Sequence, residues 1–194
     1  MKKLMLIVLA GCSLVLSPSI QTVAAHQGYT PLEDLAGTYA LTFQGSFALC
    51  LTKTSPVALV PCDSPDAQVV PFTVLGVGGA TFDEKGNFCI SDTETDAALP
   101  LGASPPFVAA IHIAGKVTSY DPRTGTGDKS DTSYVGGKCN GATFDSTGAT
   151  VASTITSHFV VSNDGKRIDG VDTSLTTPAG TLGGFSFSFT FLRQ

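Results

Sequence analysis

The final segment of the chain constrains the fold more than any other feature of the sequence. Between residues 184 and 191, aromatic and small polar residues alternate without interruption, and the aromatic set is Phe185, Phe187, Phe189 and Phe191. Successive side chains of a β-strand point to opposite faces, so this pattern predicts a strand with one aromatic face. Because four phenyl rings must be removed from water, we expect this strand to close a packed β-structure with its rings facing inward.

Short runs of alternating residues also recur through the rest of the chain, separated by Gly, Pro, Asn and Asp, and no long stretch has the period of an α-helix. Turn sequences at 83–86, 145–148 and 163–165 are typical of hairpins between antiparallel strands. Two acidic stretches, residues 92–106 and 121–133, are predicted to be solvated loops. The predicted fold class is therefore all-β: a single antiparallel, up-and-down β-barrel of about eight strands.

The start of the chain has the features of a signal peptide. A short basic segment precedes an apolar run, and small residues suit cleavage after Ala25. This predicts an exported protein, secreted or periplasmic, in which residues 1–25 are removed and residues 26–194 form one barrel domain. A competing signal, Leu9-Ala10-Gly11-Cys12, resembles the bacterial lipoprotein box and would instead leave the protein anchored through a lipidated Cys12.

The charge balance of the chain is acidic, with 16 Asp and Glu residues against 11 Lys and Arg, and removal of the leader would take away Lys2 and Lys3 and no acid. An acidic balance disfavours nucleic acids and anionic lipid surfaces as partners. We therefore predict no nucleic-acid partner, and membrane association only through lipidation or as an outer-membrane barrel. That last alternative also fits alternating strands, although the chain has no Trp to supply an aromatic girdle.

Four cysteines follow the predicted leader: Cys50, Cys62, Cys89 and Cys139. An even number in an exported chain indicates two disulfides, for which three pairings are possible. The short separation of Cys50 and Cys62 favours a local bond between them, and Cys89 would then pair with Cys139. The cysteine spacing does not suit zinc, and no metal site or cofactor is predicted.

Several motifs occur in an order that resembles a known group of proteins. They are Gly37-Thr38-Tyr39, a Phe-Asp-x-x-Gly turn, the segment from Tyr134 to Gly141 that contains Cys139, a hairpin at 159–166 and the terminal Arg193-Gln194. In this order they resemble small exported bacterial proteins with lipocalin-like or allene-oxide-cyclase-like barrels. The resemblance implies a fold and brings no assigned activity. Lipocalins have Trp where this chain has Tyr39, and they often pack an Arg on that ring, a role the resemblance gives to Arg193.

The interior of an eight-stranded barrel is wide enough either to be filled by side chains or to enclose a small ligand. The leading functional hypothesis is a non-enzymatic barrel that is structural or binds a small hydrophobic molecule at its mouth. The residues predicted to line such a site are Tyr39, Phe43, Phe187 and Phe189. No catalytic residue is predicted.

An enzymatic alternative is an isomerase or cyclase, which would need a buried polar group in the barrel to hold or move a proton. His158 or a carboxylate among the Phe rings would have to supply that group, whereas His112 is predicted to face water with Lys116. The glycines at 76–79 lack the spacing of a dinucleotide site and predict a bulge or corner in a strand. The acidic stretches are a weaker candidate for calcium, because neither fits the usual loop pattern.

Overall fold

The computed structural model describes residues 31–99 and 106–194. The predicted signal peptide, the competing site at Cys12 and residues 100–105 of the 92–106 stretch lie outside these residues. The strands are β1 (Gly37–Thr52), β2 (Ala67–Phe82), β3 (Asn87–Ala98), β4 (Phe107–Asp121), β5 (Thr126–Val135), β6 (Lys138–Asn140), β7 (Thr143–Asp145), β8 (Thr150–Val161), β9 (Arg167–Thr176) and β10 (Leu182–Arg193). Two short 3-10 helices span Pro31–Leu35 and Pro178–Gly180.

Eight of these strands form one closed antiparallel barrel in the order β1-β10-β9-β8-β5-β4-β3-β2. Each barrel strand pairs with the next one along the chain, and β1 pairs with β10 to close the ring. The short strands β6 and β7 form a separate hairpin inserted between β5 and β8. The prediction of an all-β, up-and-down antiparallel barrel of about eight strands is therefore confirmed.

The predicted aromatic ladder forms β10. In the closing register with β1, Phe43 lies opposite Phe189 and Leu41 lies opposite Phe191. Directly opposed residues of antiparallel strands share a face, so these four side chains point the same way. Phe189 and Phe191 are buried in the core of the barrel, and Phe187 is partly buried. The aromatic face of the last strand therefore lies inside the barrel.

One end of the barrel is filled by a hydrophobic core and packs against the first 3-10 helix, Pro31–Leu35. Tyr39 is fully buried in this core and donates its hydroxyl to the carbonyl oxygen of Leu35 at 2.9 Å. Arg193 places its guanidinium carbon 5.9 Å from the centre of the Tyr39 ring and donates hydrogen bonds to two backbone carbonyls at the helix. These contacts close this end of the barrel.

Two disulfides fasten loops to the barrel wall. Cys50, near the end of β1, is bonded to Cys62 in the loop that follows, and Cys89 on β3 is bonded to Cys139 on β6. Cys89 lies between Phe88 and Ile90, whose side chains belong to the inner core, so its own side chain points outward. The second disulfide therefore holds the β6–β7 hairpin against the outer face of the barrel.

The prediction of solvated loops at 92–106 and 121–133 is wrong over part of each stretch. β3 continues as a strand to Ala98, and β5 begins at Thr126. In β3 the acids at 92, 94 and 96 alternate with Thr, and β5 has the sequence Asp-Lys-Ser-Asp at 128–131, so neither stretch has the apolar residues by which a half-buried strand is usually recognised. The period of two is nevertheless present, and it directs several carboxylates into the barrel.

The ladder between β9 and β10 is the shortest in the barrel. Its pairs run only from Arg167 opposite Leu192 to Val171 opposite Ser188. Beyond these pairs, β9 remains hydrogen-bonded to β8, and β10 remains hydrogen-bonded to β1. We call the stretch where β9 and β10 run without pairing to each other the β9–β10 seam.

Inward-facing glycines make room for large side chains on neighbouring strands. β2 pairs regularly with both neighbours through residues 76–79, so these glycines form no bulge, and that part of the prediction is wrong. A Cβ on Gly78 would lie 2.3 Å from the carbonyl oxygen of Ser91 and 2.6 Å from Cα of Asp92. The same relation of an inward glycine to a large neighbour holds for Gly76 with Phe43, Gly45 with Phe187, Gly115 with Asp131 and Gly170 with Phe189.

We expect Gly78→Ala to lower the free energy of unfolding by about 1–3 kcal/mol, the usual cost of overpacking a tightly packed interior. Urea denaturation followed by circular dichroism measures the change. Gly184→Ala on β10 is the matched control, because a Cβ there meets no atom within 4 Å. The packing explanation is wrong if the two variants unfold at the same urea concentration.

Candidate functional site

Beyond the closed-end core, the barrel contains a cavity of about 210 Å³. Strands β1 and β10 supply its aromatic side, which consists of Phe43, Phe47, Phe187 and Phe189. These strands pair directly, so their inward residues adjoin one another, and the rings of Phe47 and Phe187 lie 6.1 Å apart between centres. The result is a continuous apolar surface, which we call the Phe wall.

The other side of the cavity, which we call the acidic wall, has carboxyl groups among apolar side chains such as Ile111 and Ile155. Glu94 from β3, Asp131 from β5 and Asp172 from β9 line it. Asp92 and Asp96 lie on the same face of β3 as Glu94, because alternate residues of a strand share a face, and both are buried. Five carboxyl groups on three strands therefore face the interior of the barrel.

Among the described residues, Lys129 is the cation of this interior, and it is only 6% exposed. Its ammonium group forms an ion pair with Asp131, whose side chain is fully buried. The same nitrogen lies 4.8 Å from the ring centre of Phe189 and 5.5 Å from that of Phe88, within the range of a cation–π contact. Lys129 thus joins the acidic side of the barrel to the aromatic side.

Small hydroxyl side chains complete this polar surface. Ser157 on β8 lies opposite Lys129 on one side and opposite Asp172 on the other. Its hydroxyl donates to the Oδ1 of Asp172 at 2.7 Å. Nearer the mouth, the hydroxyl oxygens of Ser133 and Ser153 are 2.6 Å apart and share a hydrogen bond.

Several carboxylate oxygens on the inner face have no hydrogen-bond partner among the described residues. They are the Oδ1 of Asp131, both oxygens of Asp92 and the Oδ1 of Asp96. An unsatisfied buried oxygen costs about 1–3 kcal/mol, and more when it is charged. The fold therefore bears a considerable cost to hold these acids inside.

Burial raises the pKa of the inner carboxyl groups because it disfavours the charged form. The pKa of Glu94 is raised to about 8 by burial and by the nearby charges of Asp92 and Asp96. Burial, reinforced by Asp96, raises the pKa of Asp92 to about 7, and burial alone raises that of Asp96 to about 6. Burial also raises the pKa of Asp172, although Lys129 opposes this shift. Near neutral pH the interior therefore contains both protonated and ionised carboxyl groups.

The structure places three of the four predicted lining residues at the cavity: Phe43, Phe187 and Phe189. Tyr39 is not among the cavity-lining side chains, because it is buried in the closed-end core under the first 3-10 helix. Whether these residues bind a ligand stays a prediction. Sequence reasoning missed the acidic wall, although the strict alternation of acids with Thr in residues 92–96 was a signal that could have found it.

Both described histidines lie outside the barrel. His158 pairs with the exposed Asp128, its Nδ1 lying 2.9 Å from Oδ1, so it cannot serve as a proton-transfer group in the interior. His112 faces outward as predicted, but it is only partly exposed. The β6–β7 hairpin covers it, with the Phe144 ring 6.2 Å away. Among the described residues, the acid–base groups that line the cavity are therefore carboxyl groups and the ammonium group of Lys129.

The predicted acidic stretches do not come together as a metal site. Within residues 31–99 and 106–194, no group of three or more His, Cys, Asp or Glu side chains has an arrangement suited to a metal ion. Asp121 and Asp128 bond to Arg123 and His158 outside the barrel, whereas Asp131 faces inward.

Within residues 31–99 and 106–194, no helix is long and apolar enough to cross a membrane.

Comparisons with known protein families, with curated proteins and with solved structures find no match for this chain. Functional inference therefore rests on the geometry and chemistry of the cavity.

The raised pKa values predict how stability depends on pH. A carboxyl group whose pKa is higher in the folded protein binds more protons when folded, so stability falls as pH rises from the unfolded pKa near 4 toward the folded value. For Glu94 that window extends to about 8. We expect the protein to unfold at a lower urea concentration at about pH 8.5 than at about pH 5.5.

Glu94→Gln is expected to weaken this pH dependence, because glutamine does not ionise. Asp169→Asn is the control: Asp169 lies on the outer face with Arg167, which holds its pKa below the usual value, so it does not titrate in this window. A urea midpoint that stays constant or rises between the two pH values in the wild type would contradict the raised pKa values of the interior acids.

Proposed function

We propose that this protein is a binding protein that holds a small, largely apolar molecule inside its barrel. The observation that supports this most directly is the cavity between the Phe wall and the acidic wall. Small-molecule sites are concave, mostly apolar and contain a few placed polar groups, which is the composition of this cavity. An interior packed only for stability would be expected to fill this space with side chains.

The size of the cavity limits the ligand. An apolar cavity of about 150 Å³ is large enough to take up benzene, and this one measures about 210 Å³. We therefore propose a ligand somewhat larger than benzene, such as a ring with a short side chain. A long-chain fatty acid is too large to be enclosed.

We further propose that the protein acts outside the cytoplasm as a lipocalin-like barrel. Two disulfides support an extracellular or periplasmic location, because such bonds persist in oxidising compartments. The contact of Arg193 with the Tyr39 ring at the closed end supports the lipocalin-like type. Lipid anchoring through Cys12 is the alternative form of the same exported protein.

The orientation of the strands favours this proposal over an outer-membrane barrel, whose outward face must be apolar. Here the Phe ladder faces inward, and the ion pairs Asp128–His158 and Arg167–Asp169 lie on the outer face. Partition of the folded protein into detergent micelles would favour the membrane alternative.

Ligand binding can be tested with 2-phenylethanol, a neutral molecule of suitable size, by isothermal titration calorimetry. Leu175→Trp should abolish the binding, because Leu175 lines the cavity and a larger side chain would fill it. Val171→Trp on the same strand is the control, since Val171 is exposed on the outer face. Binding that survives Leu175→Trp but not Val171→Trp would place the ligand elsewhere.

A second candidate function is an isomerase or cyclase, and Glu94 is the observation that favours it. Its carboxyl group lines the cavity with a pKa of about 8, so it could donate or accept a proton near neutral pH. Such an enzyme would convert 3-cyclohexen-1-one to its conjugated isomer by removing a proton beside the carbonyl group and returning one at the far alkene carbon.

The conjugated product absorbs in the ultraviolet, so the reaction can be followed directly. The binding proposal expects no rate above that in buffer. A rate that is lost in Glu94→Gln and kept in Asp169→Asn would instead identify the protein as an isomerase.

A further inference from the structure

We infer that the ligand is a small amine, whose ammonium group is held by Asp131, Glu94 and Asp172 while its apolar body packs on the Phe wall. This inference rests on the proposed binding function and specifies the chemical class of the ligand. It follows from four features of the interior: an excess of carboxyl groups, an unpartnered buried oxygen, the position of Lys129 and the aromatic wall.

The excess of acid is the first feature. Five carboxyl groups face the interior, from Asp92, Glu94, Asp96, Asp131 and Asp172, and the described inner face offers them a single ammonium group, that of Lys129. Buried charges in proteins are normally paired. A cationic ligand would supply the missing charge, whereas an anionic ligand would add to the repulsion.

The second feature is the unpartnered oxygen of Asp131. The side chain of this residue is fully buried and lines the cavity. One of its oxygens binds Lys129, and the other, Oδ1, has no hydrogen-bond partner. This buried oxygen therefore lacks a donor, and an ammonium group has three N–H donors.

Lys129 shows that this interior already accommodates an alkylammonium group. Its nitrogen is bonded to Asp131 and lies over the rings of Phe189 and Phe88. A ligand amine entering beside it would meet the same kinds of group: a carboxylate on one side and an aromatic ring on the other. Charge-assisted hydrogen bonds and cation–π contacts are both strongest when water is excluded.

The aromatic wall fits the rest of such a molecule. Phe43, Phe47 and Phe187 lie on strands across the cavity from β5, which carries Asp131. A ligand with a positive end and an apolar end could therefore contact the carboxyl groups and the Phe rings at the same time. A purely apolar ligand would leave the buried acids without partners, at the cost described above.

Binding of an amine should also depend on pH. Glu94 is faced by Asp92 and Asp96 on its own strand, by Lys129 and Asp131 on β5 and by Asp172 on β9. At the closed end, Tyr39 and Tyr120 are the inward titratable groups from β1 and β4. Because an ammonium ion favours ionised carboxyl groups, binding should release protons and become tighter as pH rises from about 5.5 to about 8.5, while the amine itself stays charged.

The test compares three molecules of one shape: 2-phenylethylamine, 2-phenylethanol and phenylacetate, titrated calorimetrically at about pH 8. We expect the amine to bind at least about tenfold more tightly than the alcohol, since a hydrogen bond to a charged group contributes about 1.5–3 kcal/mol. Phenylacetate should show no binding. The amine should bind more weakly at about pH 5.5, whereas the affinity of the alcohol should be nearly constant.

Substitutions of the cavity acids test where the ammonium group of the ligand binds. Asp172→Asn and Glu94→Gln should each weaken binding of the amine by about tenfold and leave that of the alcohol within about twofold. Asp131→Asn should have the larger effect, but this substitution also removes the charged partner of Lys129. If the Asp131→Asn protein does not fold, the other two variants still test the inference. Asp169→Asn, on the outer face, should bind both molecules like the wild type.

The outcomes separate the two proposals. If the alcohol binds as tightly as the amine, or phenylacetate binds most tightly, the inference of a cationic ligand is overturned and the binding function stands. If none of the three molecules binds, both the proposed binding function and the inference of a cationic ligand are overturned. Equal loss of amine and alcohol binding in Asp172→Asn and Glu94→Gln would show that these acids only shape the cavity, and would also overturn the inference.

Discussion

The pairing of β1 with β10 is the interaction on which the rest of this structure depends. Its register, from Tyr39 opposite Arg193 to Leu49 opposite Leu182, joins the first and last strands of the meander. Without this ladder the same strands would form an open sheet with an aromatic and acidic face in water. With it, that face becomes an interior in which rings are buried and carboxyl groups lose their hydration. The core, the cavity and the raised pKa values all follow from closure.

The interior has two chemically different walls, and Lys129 lies between them. Removing one partner of a buried ion pair usually costs about 3–5 kcal/mol, whereas replacing a whole pair with apolar residues is often neutral. The pair of Lys129 and Asp131 is therefore an inefficient way to stabilise a barrel. The pair lies beside the cavity, with further acids on β3 and β9, an arrangement that the proposed binding function would explain.

Much of the architecture could be predicted from the sequence, because it is encoded in local patterns. The alternation of Phe and Ser residues predicted β10 and its inward face, and turn residues predicted the hairpins β2–β3 and β8–β9. The hairpin predicted at 145–148 is wrong, because that turn leads from β7 to β8, which pair with other strands. The even number of cysteines predicted two disulfides, and the spacing of Cys50 and Cys62 pointed to the pairing that the structure has. These features depend on residues close together in the chain or on simple chemistry.

The candidate site was less predictable, because it depends on contacts between distant residues. Alternation of acids with Thr along β3 has the period of a strand, but without apolar residues it was interpreted as a loop. Tyr39 was predicted to line the cavity, yet a helix that precedes its strand covers that end of the barrel. Only the closed ring brings residues from β3, β5 and β9 to one space.

The short β9–β10 ladder has a consequence for how a small molecule could reach the cavity. Where the two strands run without pairing, the wall can part with no backbone hydrogen bond to break between them. Leu175 on β9 and Phe187 on β10 both belong to this stretch and to the cavity lining. Under the proposed binding function, the seam would be the place where a ligand could enter through the side of the barrel.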